Sequence, residues 1–259
     1  MSAPIPLGMV GGGDGAFIGA IHRIAARMDG EFRLVAGALS SKPDKARASA
    51  EALGLDRSYT DYREMAREEV ARPDGIRAVS VVTPNHLHAP VSIAFLDAGI
   101  NVICDKPLTA TQEDAARLAE AAARSKARFF LTHNYGAHPM VREARAMVAE
   151  GALGRLRLVQ AEFLQGWLSE DVHNKQADWR TDPGLSGAGA IGDIGTHAWQ
   201  LAEFVTGQTP ARLSADLSSM VDGRRVDDDA RIAFRYDSGA KGGLWASQVA
   251  VGQDGSLSL

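Results

Sequence analysis

The chain of 259 residues contains one cysteine, Cys104, so no disulfide can form within it and a disulfide-stapled scaffold is excluded. A reducing compartment, most simply the cytoplasm, is the expected location. Positive charge is not in excess: 28 Lys and Arg against 32 Asp and Glu give a formal net charge of −4, with no basic footprint for nucleic acid. No window is apolar enough to span a bilayer, so no membrane partner is expected. The first six residues lack a basic stretch leading into a long apolar one and include Pro4 and Pro6, so they do not read as a secretory signal. Internal repeats, low-complexity tracts and long linkers are also missing. Hydrophobic residues at 45% and charged residues at 23% are ordinary for a folded soluble chain, and the length suits two cores. Small molecules are the expected partners.

Short β-rich runs alternate with alanine-rich amphipathic stretches from residue 5 to about 135, the rhythm of βαβ units around a parallel sheet. Strands are predicted at 5–10, 32–39, 77–82, 101–104 and 128–132. Helices are predicted at 18–28, 42–53, 62–67, 91–98 and 112–125. Thr111 followed three residues later by Asp114 resembles a capping box with a short acid. After Tyr135 the rhythm changes to a helix at 140–150, a strand at 156–164, a glycine-rich segment at 184–195 and a helix ending at Thr206. From Ala211 apolar and polar residues alternate between turn signals at Asp222-Gly223 and Asp237-Ser238-Gly239, as in antiparallel strands. The expected class is α/β: a doubly wound parallel sheet in residues 1–135, then an α+β domain with a mostly antiparallel open sheet in 136–259. Residues 255–259 read as a strand just begun, so the second sheet is expected to be incomplete.

Lys106 stands alone after the apolar run Asn101-Val102-Ile103-Cys104, within Asp105-Lys106-Pro107. Ligands of open parallel sheets bind beyond the carboxyl ends of the strands, so a cation there faces a ligand. Pro107 biases Lys106 away from helical geometry. Cys104, in the strand itself, reads as a small core hydrophobe rather than a reactive thiol. After the first strand, Gly11-x-Gly13-x-x-Ala16 fits a pyrophosphate-binding turn, whereas Gly13-x-Gly15-x-x-x-Gly19 is one residue too long. The loop is therefore stretched. Gly11, Gly13, Gly15, Ala16, Phe17 and Ile18 are the expected dinucleotide contacts.

At the end of the second strand, where an acid would bind ribose hydroxyls, the chain offers Ser40, Ser41 and Lys42, which could receive a 2′-phosphate. Lys42 could equally be a solvated helix start, so NAD and NADP both stay open. Thr83, Pro84 and Asn85 follow another apolar strand on the same rim, and His88 lies just beyond. Asp193 and His197 are four apart, on one face if 194–204 is helical, so the carboxylate could orient an imidazole able to take a hydroxyl proton near neutral pH, or both could reach one substrate. The alternatives are a satisfied core histidine and an i, i+4 metal pair. No third ligand stands at zinc-like spacing, so no metal is expected. Asn134, Tyr135, Trp167, Trp179, Arg180 and His173 lie in irregular segments where a polyhydroxylated substrate could stack and hydrogen-bond.

In this order, the glycine turn, Thr83-Pro84-Asn85 with His88, Asp105-Lys106-Pro107 and Gly192-Asp193-Ile194-Gly195-Thr196-His197 resemble the glucose-fructose oxidoreductase / inositol dehydrogenase / rhizopine catabolism protein family. Ser186-Gly187-Ala188-Gly189 and Ser247-Gln248-Val249-Ala250 extend the resemblance to the end of the chain. It implies an N-terminal Rossmann domain, a C-terminal domain with a large open sheet, and NAD(P)-dependent oxidation or reduction of a sugar, an inositol-like polyol or a related compound. The family's lysine in Glu-Lys-Pro maps onto Lys106, and its aspartate and histidine onto Asp193 and His197. Two departures stand out: Asp105 replaces the glutamate, a shorter arm, and the glycine loop carries extra residues near 14–17. Asp105 and Lys106 also join the expected cofactor contacts.

The expected roles are His197 as base for the hydroxyl proton, Asp193 orienting histidine or substrate, and Lys106 donating to the reacting oxygen. A homo-oligomer, dimer or tetramer, would cover the open sheet. The rival expectations are a catalytically silent dinucleotide-binding regulatory module and a metal-dependent hydrolase built on Asp193 and His197.

Overall fold

The structure, a computed structural model, describes residues 3–259; Met1 and Ser2, part of the segment read for a secretory signal, lie outside the described residues. The chain divides into two compact units that meet in sequence between Thr132 and His133.

The first unit contains β1 (Ile5–Gly11), α1 (Phe17–Met28), β2 (Phe32–Ala38), α2 (Pro43–Leu53), β3 (Arg57–Ser58), α3 (Tyr62–Ala71), β4 (Ala78–Val82), α4 (His88–Asp97), β5 (Asn101–Cys104), α5 (Gln112–Arg124) and β6 (Phe129–Leu131). Its sheet has the order β3-β2-β1-β4-β5-β6, all parallel. All five residues of β4, Ala-Val-Ser-Val-Val, are buried, as a central parallel strand covered on both faces requires. The chain leaves β1 in one direction and returns to β4 on its other side, so the order reverses between these two strands, where a doubly wound sheet opens its crevice.

Apolar periodicity gave no sign of β3, because it is two residues long and polar. What holds it is Glu69 on α3: the fully buried carboxylate accepts from Arg57 Nε (2.6 Å) and Nη2 (3.0 Å), Tyr59 Oη (2.8 Å) and the Ile76 amide (3.1 Å). A buried charge is tolerated only with partners of this number and quality. Asp61 caps α3 through the amides of Arg63 and Glu64. The capping box at α5 is half formed. Thr111 Oγ1 accepts from the Asp114 amide (3.2 Å), while the short Asp114 side chain pairs with Arg117 (3.0 Å).

The second unit contains α6 (Pro139–Ala149), β7 (Leu158–Gln165), α7 (Lys175–Arg180), α8 (Pro183–Ser186), a π-helical turn (Ile191–Gly195), α9 (Thr196–Thr206), β8 (Arg212–Ser218), β9 (Asp229–Arg235), β10 (Lys241–Ser247) and β11 (Gln253–Ser258). The sheet order is β11-β7-β10-β9-β8. Three of its pairings are antiparallel. The fourth, β7 with β10, is parallel, so the sheet is mostly antiparallel, as expected, and β8, β9 and β10, after Ala211, pair antiparallel in succession. Ile194, Ala198 and Ala202 belong to the same core as Val159, Ala161, Ile232, Phe234, Leu244 and Ala246, which buries one face of the sheet beneath α9. The stretch expected to be a strand just begun belongs to β11, whose six residues pair with β7.

Candidate active site

In the first unit the turn after β1 is a glycine cradle. Gly11, Gly12 and Gly15 have φ of +77°, +72° and +68°, which disfavours any residue with a Cβ. The sequence pointed to Gly11, Gly13 and Ala16 for the three fingerprint roles, but the close packing of turn and helix falls to Gly12 and Gly19. A Cβ on Gly19 would lie 2.5 Å from the Gly12 Cα. Residues 13–16 form the extra turn, closed by the Ala16 amide on the Gly13 carbonyl (3.0 Å). Arg23 of α1 reaches back to donate to the Gly12 carbonyl (2.7 Å). Phe17, the first residue of α1, is 63% exposed, and the first turn has neither a side-chain cap nor an acid, which suits an anion at the helix N-terminus. The loop therefore fits a dinucleotide pyrophosphate.

Ser40, Ser41 and Lys42 follow β2 at the surface, with the Lys42 amide donating to Ser40 Oγ (3.1 Å). Thr83 and Pro84 leave β4 and enter a short 3₁₀ turn at Asn85–Leu87, in which Asn85 is buried. Lys106 follows β5 and joins Pro107 through a cis peptide bond. The two acidic and imidazole groups expected to touch the cofactor are otherwise engaged. Asp105 Oδ1 accepts from Thr132 Oγ1 (2.9 Å) and lies 3.3 Å from His22 Nε2. Burial pushes the Asp105 carboxyl up, but His22, Lys106 and Thr132 together outweigh burial and hold it below the ordinary aspartate range. His88 is 1% exposed, with Nδ1 2.8 Å from the Pro107 carbonyl and Nε2 3.0 Å from that of Thr83. Its two ring nitrogens thus face backbone carbonyls of the rim segments. Burial lowers its pKa, favouring neutral imidazole. Cys104 is fully buried and its thiol is pushed up to about 12 by burial, so it is inert core.

In the second unit Asp193 lies in the π-helical turn, and α9 begins only at Thr196. The segment is helical, as the shared-face expectation required, although the turn that carries Asp193 is π rather than α. Asp227 explains the turn. Its carboxylate accepts from the amides of Gly189 (2.8 Å) and Ile191 (2.7 Å), and its backbone runs so close that a Cβ on Gly189 would sit 1.7 Å from the Asp227 carbonyl oxygen. Asp193 Oδ2 accepts from Arg180 Nε (3.2 Å) and Gln248 Nε2 (2.9 Å). Arg180, expected to contact substrate, is held by several neighbours. It lies 4.3 Å from the Trp179 ring centroid and 5.9 Å from that of Trp167, and its Nη1 donates to the backbone and side-chain oxygens of Gln176 (3.0 Å each). Its observed contacts orient Asp193.

His197 is 7% exposed, ringed by Tyr135 (4.8 Å), Phe163 (5.8 Å) and His133 (6.0 Å between centroids). Asn134 is exposed at the start of a short turn. Trp167 lines a groove of about 420 Å³ with Gln165, Gly166, Ser169, Val251 and Gly252. His173, by contrast, is a surface group paired with Asp171 and Asp178. Among the described residues no three His, Cys, Asp or Glu side chains gather closely enough to hold a metal, and no helix is long and apolar enough to cross a membrane. His22, Asp227 and Gln248 were not singled out as site residues, although Gln248 lies in the Ser247–Ala250 stretch that carried the resemblance and His22 stands three residues beyond Gly19.

Two family models cover nearly the whole chain: an oxidoreductase family with an NAD-binding Rossmann fold over residues 5–133, and the GFO/IDH/MocA C-terminal domain over 141–259. An oxidoreductase from Sinorhizobium meliloti is 51% identical, with a TM-score of 0.89 over 99% of this chain and 68% of its own. An inositol dehydrogenase homolog from Azotobacter vinelandii, solved with NADH and myo-inositol, is 39% identical, with a TM-score of 0.92 over 99% of this chain and 67% of its own. Levoglucosan dehydrogenase from Pseudarthrobacter phenanthrenivorans is 29% identical over 98% of this chain and 70% of its own. The chain thus spans about two thirds of the length of these relatives.

Proposed function

Because this chain belongs to the GFO/IDH/MocA family of oxidoreductases, we propose that it transfers hydride between NAD(P) and a hydroxyl-bearing carbon of a sugar, an inositol-like polyol or a related compound. The observation that carries this reading is the pairing, within one compact unit, of a glycine cradle with a lysine fixed at the rim of the same parallel sheet. A bound nicotinamide accepts or returns the hydride. The residues suited to hold it are the 11–18 loop with the N-terminus of α1, Ser40 to Lys42 at the end of β2, and the Thr83–Asn85 rim.

The other roles belong to side chains of this chain. Lys106 donates to the reacting oxygen, and its positive charge favours the alkoxide character of the transition state, a contribution of about 3 kcal/mol for a preorganised donor. His197 takes the hydroxyl proton in oxidation and returns it in reduction. Asp193 orients substrate or imidazole, with Arg180 and Gln248 fixing its carboxylate. Tyr135, Trp167 and Trp179 offer ring faces and edges to a polyol, and Asn134 an exposed amide.

The relatives' substrates choose the panel. Purified protein is mixed with NAD⁺ or NADP⁺ and with myo-inositol, levoglucosan and common sugars and polyols, and nicotinamide absorbance is followed. Reduction with at least one compound is expected. Dinucleotide binding without turnover of any of them would contradict the assignment and leave a binding module. A homo-oligomer, dimer or tetramer, is part of the same reading, supported by the polar sheet face that carries Trp245, Arg231, Glu162 and Gln160 and by exposed Leu213 and Leu217 on edge strand β8. Light scattering on the purified chain tests it. A cytoplasmic location is supported by a fold in which the single cysteine is inert core.

A further inference from the structure

Lys106 is flanked by two residues, and a histidine drawn from elsewhere in the first unit touches each, His22 part-buried and His88 buried. On one side His22 of α1 reaches Asp105 Oδ1 through Nε2 (3.3 Å), while its Nδ1 lies 2.8 Å from Ser80 Oγ on β4. An ionised carboxylate only accepts, so Nε2 carries a proton toward Asp105, and the Ser80 hydroxyl, which can both donate and accept, partners Nδ1. On the other side His88 of α4 lies 2.8 Å from the Pro107 carbonyl and 3.0 Å from that of Thr83. Serine, histidine and aspartate are the residue types of a hydrolytic triad, but Ser80 sits in the middle of β4 at 2% exposure, where no substrate can reach it. The arrangement is a support.

We propose that His22 and His88 are positioning residues that brace Lys106 from both sides, with His22 making up for the short reach of Asp105 by tying it to the helix that opens the glycine cradle. The brace rests on the reading of Lys106 as donor to the reacting oxygen. Through Asp105, His22 sets where the ammonium sits; it does not touch the ligand. Small misplacements of a catalytic group are costly, which is why two otherwise unused histidines at this point matter.

The test compares His22→Gln, whose amide can still donate to Asp105, with His22→Met, which cannot, and records melting temperature, kcat, KM and dinucleotide Kd for both. His22→Met is expected to lower kcat about tenfold or more with dinucleotide Kd within about threefold of wild type, and His22→Gln to recover most of the loss. Equal losses in the two variants, or a loss confined to dinucleotide binding, would overturn the brace. If His22→Met does not fold, Thr132→Val, which removes the other donor to the same oxygen, takes its place; lower kcat supports the proposal and normal kcat overturns it. A readout independent of turnover separates failure of the brace from failure of the proposed function: NMR of ¹³C-dimethylated lysines, with the Lys106 signal assigned by its loss in Lys106→Arg. That signal is expected to shift in His22→Met and to return in His22→Gln, and an unmoved signal overturns the brace even if no substrate is ever found.

Discussion

Lys106 and Asp193 are both fixed in place, but the two units achieve it differently. Around Lys106 the ends of parallel strands already set the backbone, and two imidazoles, one buried and one part-buried, lock the residues on either side. Around Asp193 there is no strand end. A π-helical turn carries the carboxylate, and Asp227, Arg180 and Gln248 hold it from separate segments of the chain. A parallel sheet thus yields a rim position from its topology, whereas the second unit must assemble one from side-chain hydrogen bonds. The second position is correspondingly the easier to disturb by single substitutions outside it.

The comparison can be broken first at the chemistry. His197→Ala and Asp193→Ala are each expected to lower kcat/KM by about 10² to 10³, with dinucleotide Kd unchanged, as read by steady-state kinetics and fluorescence titration. The cradle comes next. Gly19→Ala places a methyl 2.5 Å from the Gly12 Cα, so dinucleotide affinity is expected to fall about tenfold or more while the second unit keeps its circular dichroism and stability. An unchanged Kd would show that the turn can relax around the methyl.

Asp227→Ala sharpens the contrast between the units, because it leaves two amides of the π-helical turn without their acceptor. Destabilisation of about 1 to 3 kcal/mol is expected in denaturant unfolding, with kcat falling more than Kd for the dinucleotide. A stability loss with unchanged kcat would separate the turn from the chemistry. The smallest effect is on pH dependence. Burial lowers the His88 pKa below its ordinary 6.5, so folding favours neutral imidazole. The associated stability is fully present above about pH 6.5 and is lost as the pH falls through the lower folded value. Asp105, also lowered, loses its share only at pH values below the usual 3.8. Melting temperature should therefore begin to fall just below neutrality, and His88→Gln should flatten that first decline. An unaltered decline would place its origin elsewhere.

Much of this was legible in the sequence where the physics is local. Apolar runs marked β1, β2, β4 and β5, and a lone lysine after one of them marked the rim. What escaped depends on distant partners. Nothing near β3 announces a strand, because its support is a glutamate 12 residues beyond Arg57. The brace was hidden since His22 meets Ser80 and Asp105 at separations of 58 and 83 residues. Asp193 and His197 stood out by type and spacing, but the π turn between them did not, because the aspartate that holds it follows 36 residues after Ile191. The glycine fingerprint was visible, but its register was not, because the choice of Gly12 and Gly19 rests on how closely helix and turn pack.

The most direct test of the account is turnover by Lys106→Ala on whichever polyol or sugar the wild type oxidises, measured beside dinucleotide binding by the same protein. A fall in kcat of about 10² or more with Kd for the dinucleotide retained is predicted. Near-normal turnover would contradict the account, since the reacting oxygen would then be served by some other donor.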